Sequence, residues 1–337
     1  MDHADAPLSI ERAQTAIRAL GQAPFDHDLA DLRAEADLAE AYRDAGRYRE
    51  AVMTFEQLWP RLVAQGRDDT ATAGTWLNNW GVAVAQMGRP LEAEKLLRQS
   101  MEIHRADASD AALSPMLMTN YAQQLFDLGR LKEAQDYAER ALESAKRAGD
   151  EVVINQTLLR LARIYRAQHD FARSLAKLDE VEPRLRSALP PGHYEFAGLA
   201  SERSQTLELE GDTDRALDLA NLAIRDCAVV SQQGKACAQY LPNLLRHRAS
   251  IEISLRQFAP AESDARRALQ LLLQQSRPGE FSQWIGQAYL TLARCLTAEG
   301  REAEGRATAQ RAADQLEKSI GADHPDTRSA RELATGT

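Results

Sequence analysis

The 337-residue sequence has few of the features that identify secreted, membrane or redox proteins. Its three cysteines, Cys227, Cys237 and Cys295, form no CxxC motif and cannot all pair, which favours buried thiols in a reducing compartment. No basic and then apolar segment resembles a signal peptide, and the longest apolar run, around residues 271–273, is far too short to cross a bilayer. We therefore expect a soluble, cytoplasmic protein with no membrane partner.

Motifs for catalysis and cofactor binding are also missing. The sequence contains no HExxH, no glycine-rich phosphate loop and no nucleophile elbow. Its seven histidines are dispersed, and no two have the spacing of metal ligands on a helix. We expect no catalytic residue, no metal and no cofactor; an enzyme or small-molecule sensor is the weakest of the functional alternatives.

The charge balance argues against nucleic acid as a partner. The formal net charge is -9, spread along the chain, whereas nucleic-acid-binding surfaces are basic. Of the 41 basic residues only six are lysine, so the cationic groups are almost all guanidiniums, which bind carboxylates or phosphates in a planar, bidentate manner.

A helical pattern recurs along the chain every 40–45 residues. Apolar residues follow one another at three- and four-residue steps, which indicates helices. Each period contains a predicted turn, at Gly46, Gly88, Gly129, His169, Gly211, Arg256 and Gly300. A small residue comes seven positions before each turn, at Ala39, Gly81, Ala122, Ala162, Ser204, Ala249 and Ala293. Another follows each turn by five, at Ala51, Ala93, Ala134, Ser174, Ala216, Ala261 and Gly305.

This spacing has a physical reason in the packing of antiparallel helix pairs. Two helices joined by a short turn approach closely only where their side chains are small, and larger residues above and below fill the remaining space. Glycine at the turn adopts the left-handed conformation that ends the first helix. Arg203, Arg248 and Glu252 replace the apolar residues usual at their positions, so the register of the fifth and sixth units is the least well defined.

The pattern resembles the tetratricopeptide repeat (TPR). Ala39-x-x-Tyr42, Gly46-Arg47-Tyr48 and Ala51-x-x-x-Phe55 match it closely, and the period near 42 is similar to the longer variety of kinesin light chains and bacterial signalling proteins. LNNWG at 77–81 and GADHPDT at 321–327 resemble segments of that variety. The resemblance implies an all-α, right-handed α-solenoid superhelix of about seven helix-turn-helix units with terminal half-repeats.

We expect three parts in the chain. Residues 1–27 form an N-terminal capping helix or half-repeat, 28–324 the seven repeats, and 325–337 a C-terminal partial helix and tail. The half-repeats either cap the array or continue into a longer protein.

The resemblance also implies a concave groove lined by the first helix of each pair. The polar residues at the inward positions are Asn78, Asn79, Asn120, Gln123, Arg160, Arg163, Arg166, Gln205, Arg246, His247 and Arg294. Side-chain amides can hold an extended peptide backbone, and guanidiniums at three-residue steps suit carboxylates or a phosphate. Two alternatives stay open: the amides bond to the neighbouring repeat, or the arginines pair with acidic residues of the next helix.

The sequence thus favours a scaffold that binds a peptide or protein segment, extended or acidic, without catalysis. The alternative is a regulatory or sensor segment of a larger bacterial signalling protein, such as a serine/threonine kinase or transcription regulator. A homodimer through a terminal repeat is a separate hypothesis.

Overall fold

The computed structural model describes residues 6–20, 28–106, 113–190, 193–233 and 240–336. These residues form sixteen α-helices, which confirms the all-α, helix-turn-helix fold class. The helices are α1 Ala6–Leu20, α2 Asp28–Asp44, α3 Tyr48–Ala64, α4 Ala71–Gln86, α5 Pro90–Ala106, α6 Pro115–Asp127, α7 Leu131–Ala148, α8 Glu151–Ala167, α9 Phe171–Ala188, α10 Tyr194–Glu210, α11 Thr213–Gln233, α12 Leu241–Ser254, α13 Phe258–Gln275, α14 Gln283–Ala298, α15 Glu302–Ile320 and α16 Pro325–Thr335.

The chain divides into two compact units, Met1–Gln124 and Leu125–Thr337. In the first unit α2 pairs with α3 and α4 with α5, and α1 packs on α2. Its core joins α2, α3 and α4 through buried residues that include Leu32, Phe55 and Trp76.

The second unit contains four helix pairs, α8/α9, α10/α11, α12/α13 and α14/α15, with α7 packed on α8 and α16 on α15. Buried Leu290, Leu316 and Ala330 join α14, α15 and α16. Leu128, just before the turn that precedes α7, packs against this same cluster. The beginning of the second unit therefore contacts its end.

The small residues of the repeat pattern lie in the protein interior. All fourteen are buried, and the alanines and serines among them have no exposed surface. A Cβ atom added to Gly81 would lie 2.9 Å from Leu97 Cγ and 3.3 Å from the Ala93 carbonyl oxygen. A larger residue at such a position would force the two backbones apart.

The turns share one backbone geometry. The seven predicted turn residues all have positive φ, including the two that are not glycine, His169 at 61° and Arg256 at 59°. In each turn the N–H of the next residue donates to a carbonyl five positions back, as from Arg47 to Tyr42 (2.8 Å) and from Gln257 to Glu252 (2.8 Å). This bond is typical of the helix-ending Schellman motif.

The cysteines correct one expectation. Cys295 is a buried free thiol. Burial is the main reason why the pKa of this thiol is raised to about 11. Cys227 is buried on α11 and is disulfide-bonded. The expectation of a buried free thiol is therefore wrong for this residue. Cys237 lies outside the described residues.

Candidate functional site

The predicted asparagines of the first unit form one hydrogen-bonded ladder. Asn120 Nδ2 on α6 donates to Asn78 Oδ1 on α4 (3.0 Å), and Asn78 Nδ2 donates to Asn79 Oδ1 (3.2 Å). Asn79 also accepts from Arg43 Nη1 (2.6 Å) and donates to Glu40 Oε1 (2.7 Å), both on α2. The ladder therefore links the first helices of three successive repeats. This arrangement agrees with the alternative in which the amides bond to the neighbouring repeat.

The ladder leaves hydrogen-bonding capacity at its α6 end. Asn120 Oδ1 accepts no hydrogen bond from a described residue, in contrast to the Oδ1 of buried Asn79, which accepts two. One turn further along α6, Gln123 Oε1 is buried and also lacks a partner among the described residues. These two amides, rather than Asn79, are free to bind another molecule.

In the second unit, a buried carboxylate on α10 binds two arginines of α8. Glu202 Oε1 accepts from Arg163 Nε (2.7 Å), and Glu202 Oε2 accepts from Arg166 Nη1 (2.7 Å). Arg166 Nη2 donates in addition to Gln205 Oε1 on α10 (3.0 Å). Two of the three predicted arginines of α8 therefore pair with the next repeat. This arrangement agrees with the alternative in which the arginines pair with acidic residues.

The electrostatics agree with this pairing. Burial raises the pKa of Glu202, but Arg163 and Arg166 outweigh it and hold that pKa at about 2. Burial likewise lowers the pKa of Arg163, and the attraction of Glu202 more than compensates, so that the pKa is raised. All three groups are charged at neutral pH, and the cluster carries one net positive charge.

Sequence reasoning missed Glu202, although its position marks it. Glu202 precedes Ser204 by two residues, as Asn79 precedes Gly81. Asn79 forms hydrogen bonds with Glu40 and Arg43, which precede it by 39 and 36 residues. Glu202 forms hydrogen bonds with Arg163 and Arg166, which precede it by the same two intervals. Reading this position through every repeat would have identified it.

Two other predicted arginines are not paired within the described part of the chain. Arg160 on α8 and Arg246 on α12 make no hydrogen bond or ion pair with a described residue, and the Nε atom of each is buried. Burial, then the like charge of Arg163, lowers the pKa of Arg160 to about 10. Burial is also the main cause of the lowered pKa of Arg246. Both groups remain cationic at neutral pH.

His247 and Arg294 occupy different surroundings. His247 is buried, with Nε2 3.2 Å from Ser204 Oγ and Nδ1 3.6 Å from Glu208 Oε2, so it connects α12 to α10. Burial, then Arg246, lowers the pKa of His247 to about 3, which keeps it neutral at physiological pH. Arg294 is exposed on α14 and donates to Ser329 Oγ on α16 (3.0 Å).

The unusual charged residues of the fifth and sixth repeats have local partners. Arg203 pairs with Asp179 and Glu182 of α9, and Arg248 pairs with Asp264 of α13 (2.6 Å). These ion pairs replace the apolar contact expected at each position.

The described residues lack two features of other protein classes. None of the helices in these ranges is long and apolar enough to cross a membrane. Within the same ranges, no group of three or more histidine, cysteine, aspartate or glutamate residues is arranged to hold a metal ion.

Comparisons with known proteins agree with this architecture. Residues 72–147 match the family model for the tetratricopeptide repeat. A search of curated protein sequences finds no match. Residues 72–147 therefore have the sequence of tetratricopeptide repeats, and the helix pairs of the described residues have the arrangement of that fold.

Solved structures share the fold at low identity. One is a Rap protein complexed with Competence and Sporulation Factor, with TM-score 0.60 and 11% identity over 99% of this chain and 96% of that one. A second is NprR in complex with its cognate peptide NprX, with TM-score 0.59 and 13% identity over 83% and 78%. A third is a tetratricopeptide repeat protein from Parabacteroides merdae ATCC 43184, with TM-score 0.51 and 13% identity over 90% and 97%.

Proposed function

We propose that this protein is an interaction scaffold that binds a peptide or an extended partner segment on the first helices of its repeats, without catalysis. The observation that carries this proposal is a set of buried polar atoms on these helices that lack partners among the described residues. They are Trp80 Nε1, Gln123 Oε1, Gln124 Oε1, Asn155 Oδ1, Arg160 Nε, Asn243 Oδ1, Arg246 Nε, Glu252 Oε2 and Gln287 Oε1.

Unmade hydrogen bonds of this kind favour a ligand. A buried donor or acceptor without a partner costs on the order of 1–3 kcal/mol, so folded proteins leave few of them. The set contains both acceptors and donors, and an extended peptide main chain offers both N–H and C=O groups to match them. Charged guanidiniums among them favour a segment that also carries carboxylates.

The structural relatives support the proposal by their ligands. NprR was solved with its cognate peptide and the Rap protein with Competence and Sporulation Factor, and both share the fold of this chain. NprR is also described as a quorum sensor, which favours the regulatory segment of a signalling protein as the second candidate. A signalling domain encoded in the same chain or operon would support that candidate.

A binding assay on the open end of the ladder tests the scaffold proposal. Purified protein is titrated with fluorescent peptide pools of varied charge, and Asn120→Ala/Gln123→Ala is compared with Gln310→Ala, which removes an exposed amide from second helix α15. We expect the double variant to bind several-fold more weakly and the Gln310 variant to bind as the wild type does. Equal binding by all three proteins would contradict a role for the first helices.

A further inference from the structure

The first helices of the second unit lie in a closed loop of contacts. Helix α8 packs on α10, α10 on α12, α12 on α14 and α14 on α16, so these contacts run from the beginning of the unit to its end. Leu128, in the turn between α6 and α7, packs against the buried cluster that joins α14, α15 and α16, and α7 in turn packs on α8. The contact made by Leu128 therefore closes the loop.

Two turns of different kinds meet where the loop closes. Gly129 lies in the turn within the pair α6/α7, whereas His324 and Pro325 lie where the chain passes from α15 into α16, between pairs. A Cβ atom added to Gly129 would be 3.5 Å from His324 Cδ2 and 3.9 Å from Pro325 Cδ. Turns within pairs and connections between pairs form opposite edges of a helix-pair solenoid, and superhelical twist brings them together. We call this contact, of residues 128–129 with residues 320–325, the junction.

The junction is loosely packed. A cavity of about 400 Å³ opens within it, lined by Leu128 and Gly129 on one side and by residues 320–325 and Arg328 on the other. Leu128 itself is only part-buried, whereas the alanines and serines at the small positions of the repeat have no exposed surface. Atoms that line a cavity forfeit the contacts that close packing would give them, so the junction is held less firmly than the helix pairs beside it.

The open polar atoms of the second unit belong to the helices of this loop. They are Asn155 Oδ1 and Arg160 Nε on α8, Asn243 Oδ1, Arg246 Nε and Glu252 Oε2 on α12, and Gln287 Oε1 on α14, all buried and without partners among the described residues. A partner segment that reaches such atoms on three helices needs an entrance. Separating residues 128–129 from residues 320–325 opens the loop without separating any helix pair, and no chain connection crosses the junction there.

We propose that the junction is a clasp, which opens to admit a partner segment to the first helices of the second unit and closes again over it. This inference rests on the proposed function and adds the route by which the partner enters. Entry and exit pass through the same open state, so the fraction of open molecules sets the association and dissociation rates together. Because the clasp is closed both before and after binding, its strength has little effect on the equilibrium constant.

Three variants change the junction or a matched position. Leu128→Ala loosens it by removing the apolar contact. Leu255→Ala is the control, because Leu255 also directly precedes a positive-φ turn residue but packs against buried residues of α10, α11 and α12. The double variant Leu128→Cys/Asp323→Cys, treated with a bismaleimide, holds the junction shut, since Leu128 and Asp323 line the same cavity. Each single cysteine variant receives the same reagent.

The cross-link tests the junction without any ligand. We expect mass spectrometry of proteolysed Leu128→Cys/Asp323→Cys to find the peptides around the two positions joined in one chain. The matched variant Leu255→Cys/Asp323→Cys should form no such cross-link. If both double variants cross-link to the same extent, or neither does, the junction is not a specific contact and the inference is wrong.

Stopped-flow fluorescence tests the gating, with the tightest-binding peptide of the charge-varied pools as the probe. We expect Leu128→Ala to bind and to release this peptide about tenfold faster than wild type, with Kd within about twofold. The cross-linked protein should bind and release it at least about tenfold more slowly. Leu255→Ala and the single cysteine variants should keep the wild-type rates.

The contrary outcomes separate the two proposals. If the peptide binds but Leu128→Ala and the cross-linked protein both have wild-type rates, the clasp is wrong and the scaffold stands. If Kd changes while the two rates do not move together, Leu128 contacts the partner directly and the clasp is again wrong. If no peptide of the pools binds wild type or any variant, the clasp and the scaffold proposal both fail.

Discussion

Glu202 Oε2 accepts a hydrogen bond from Arg166 Nη1 of the preceding repeat, at 2.7 Å. The other carboxylate oxygen of Glu202 accepts one from Arg163 Nε, also at 2.7 Å. The same two offsets connect Glu40 and Arg43 to Asn79 in the first unit. The same pairs of positions on successive first helices therefore form hydrogen bonds in both units, within a charged cluster in one unit and an amide ladder in the other. This pairing determines which polar side chains remain open to a ligand.

Removing the carboxylate of Glu202 should strongly destabilise the second unit. Glu202→Gln leaves two guanidiniums without their counter-charge, and we expect a loss of about 3–5 kcal/mol at pH 7 in urea unfolding. Glu210→Gln, on the exposed surface of the same helix, should stay within about 0.5 kcal/mol of wild type. Similar values for the two variants would show that the cluster contributes no stability.

The same variant should show a defined pH dependence. The folded-state pKa of Glu202, about 2, lies below the unfolded value of about 4.3, so its stabilisation is complete above pH 4.3 and decreases as the pH falls toward 2. The stability difference between wild type and Glu202→Gln should therefore narrow below pH 4.3. A constant difference down to pH 3 would contradict the low pKa.

His247 should make the protein sensitive to mild acid. Its folded-state pKa of about 3 is below the unfolded value of about 6.5, so the unfolded chain binds the proton first and stability falls from pH 6.5 toward pH 3. We expect His247→Gln, which cannot titrate, to reduce this slope by up to about 1.4 kcal/mol per pH unit. Urea unfolding at pH 7, 6, 5 and 4 measures the slope; identical slopes would show that His247 protonates in the folded state.

The non-glycine turns offer a test by stabilisation. Arg256 is exposed at φ 59°, where glycine is favoured, and we expect Arg256→Gly to stabilise the protein by about 1 kcal/mol. The same substitution at exposed Arg311, within helix α15, should destabilise it by about 1 kcal/mol. Differential scanning calorimetry of both variants gives the comparison, and melting-temperature shifts of the same sign would contradict the turn assignment.

The asparagine ladder should separate stability from binding. Asn79→Ala removes an amide that bonds to Glu40, Arg43 and Asn78, and we expect a loss of about 1–3 kcal/mol. Asn120→Ala removes one bond at the open end, so its cost should be under about 1 kcal/mol while peptide binding weakens. Chemical unfolding and peptide titration of the two variants measure both effects. Equal stability losses would show that Asn120 is as structural as Asn79.

The sequence by itself determined the helices, their turns and their crossing points. Helix periodicity, a left-handed turn residue and a small residue at a close approach are local requirements, so even His169 and Arg256 could be recognised as turns from their place in the period. Periodicity also placed Asn79, Asn120, Arg160 and His247 at equivalent positions of four first helices.

Only the tertiary structure decided which of these side chains are already engaged. Arg160 and Arg163 look alike in sequence, yet Arg163 reaches Glu202, 39 residues away, and Arg160 does not. Pairing depends on side-chain rotamers and on the offset between neighbouring helices, and neither follows from the spacing along one helix. The same physical reason separates the engaged Asn79 from the open end of the ladder at Asn120.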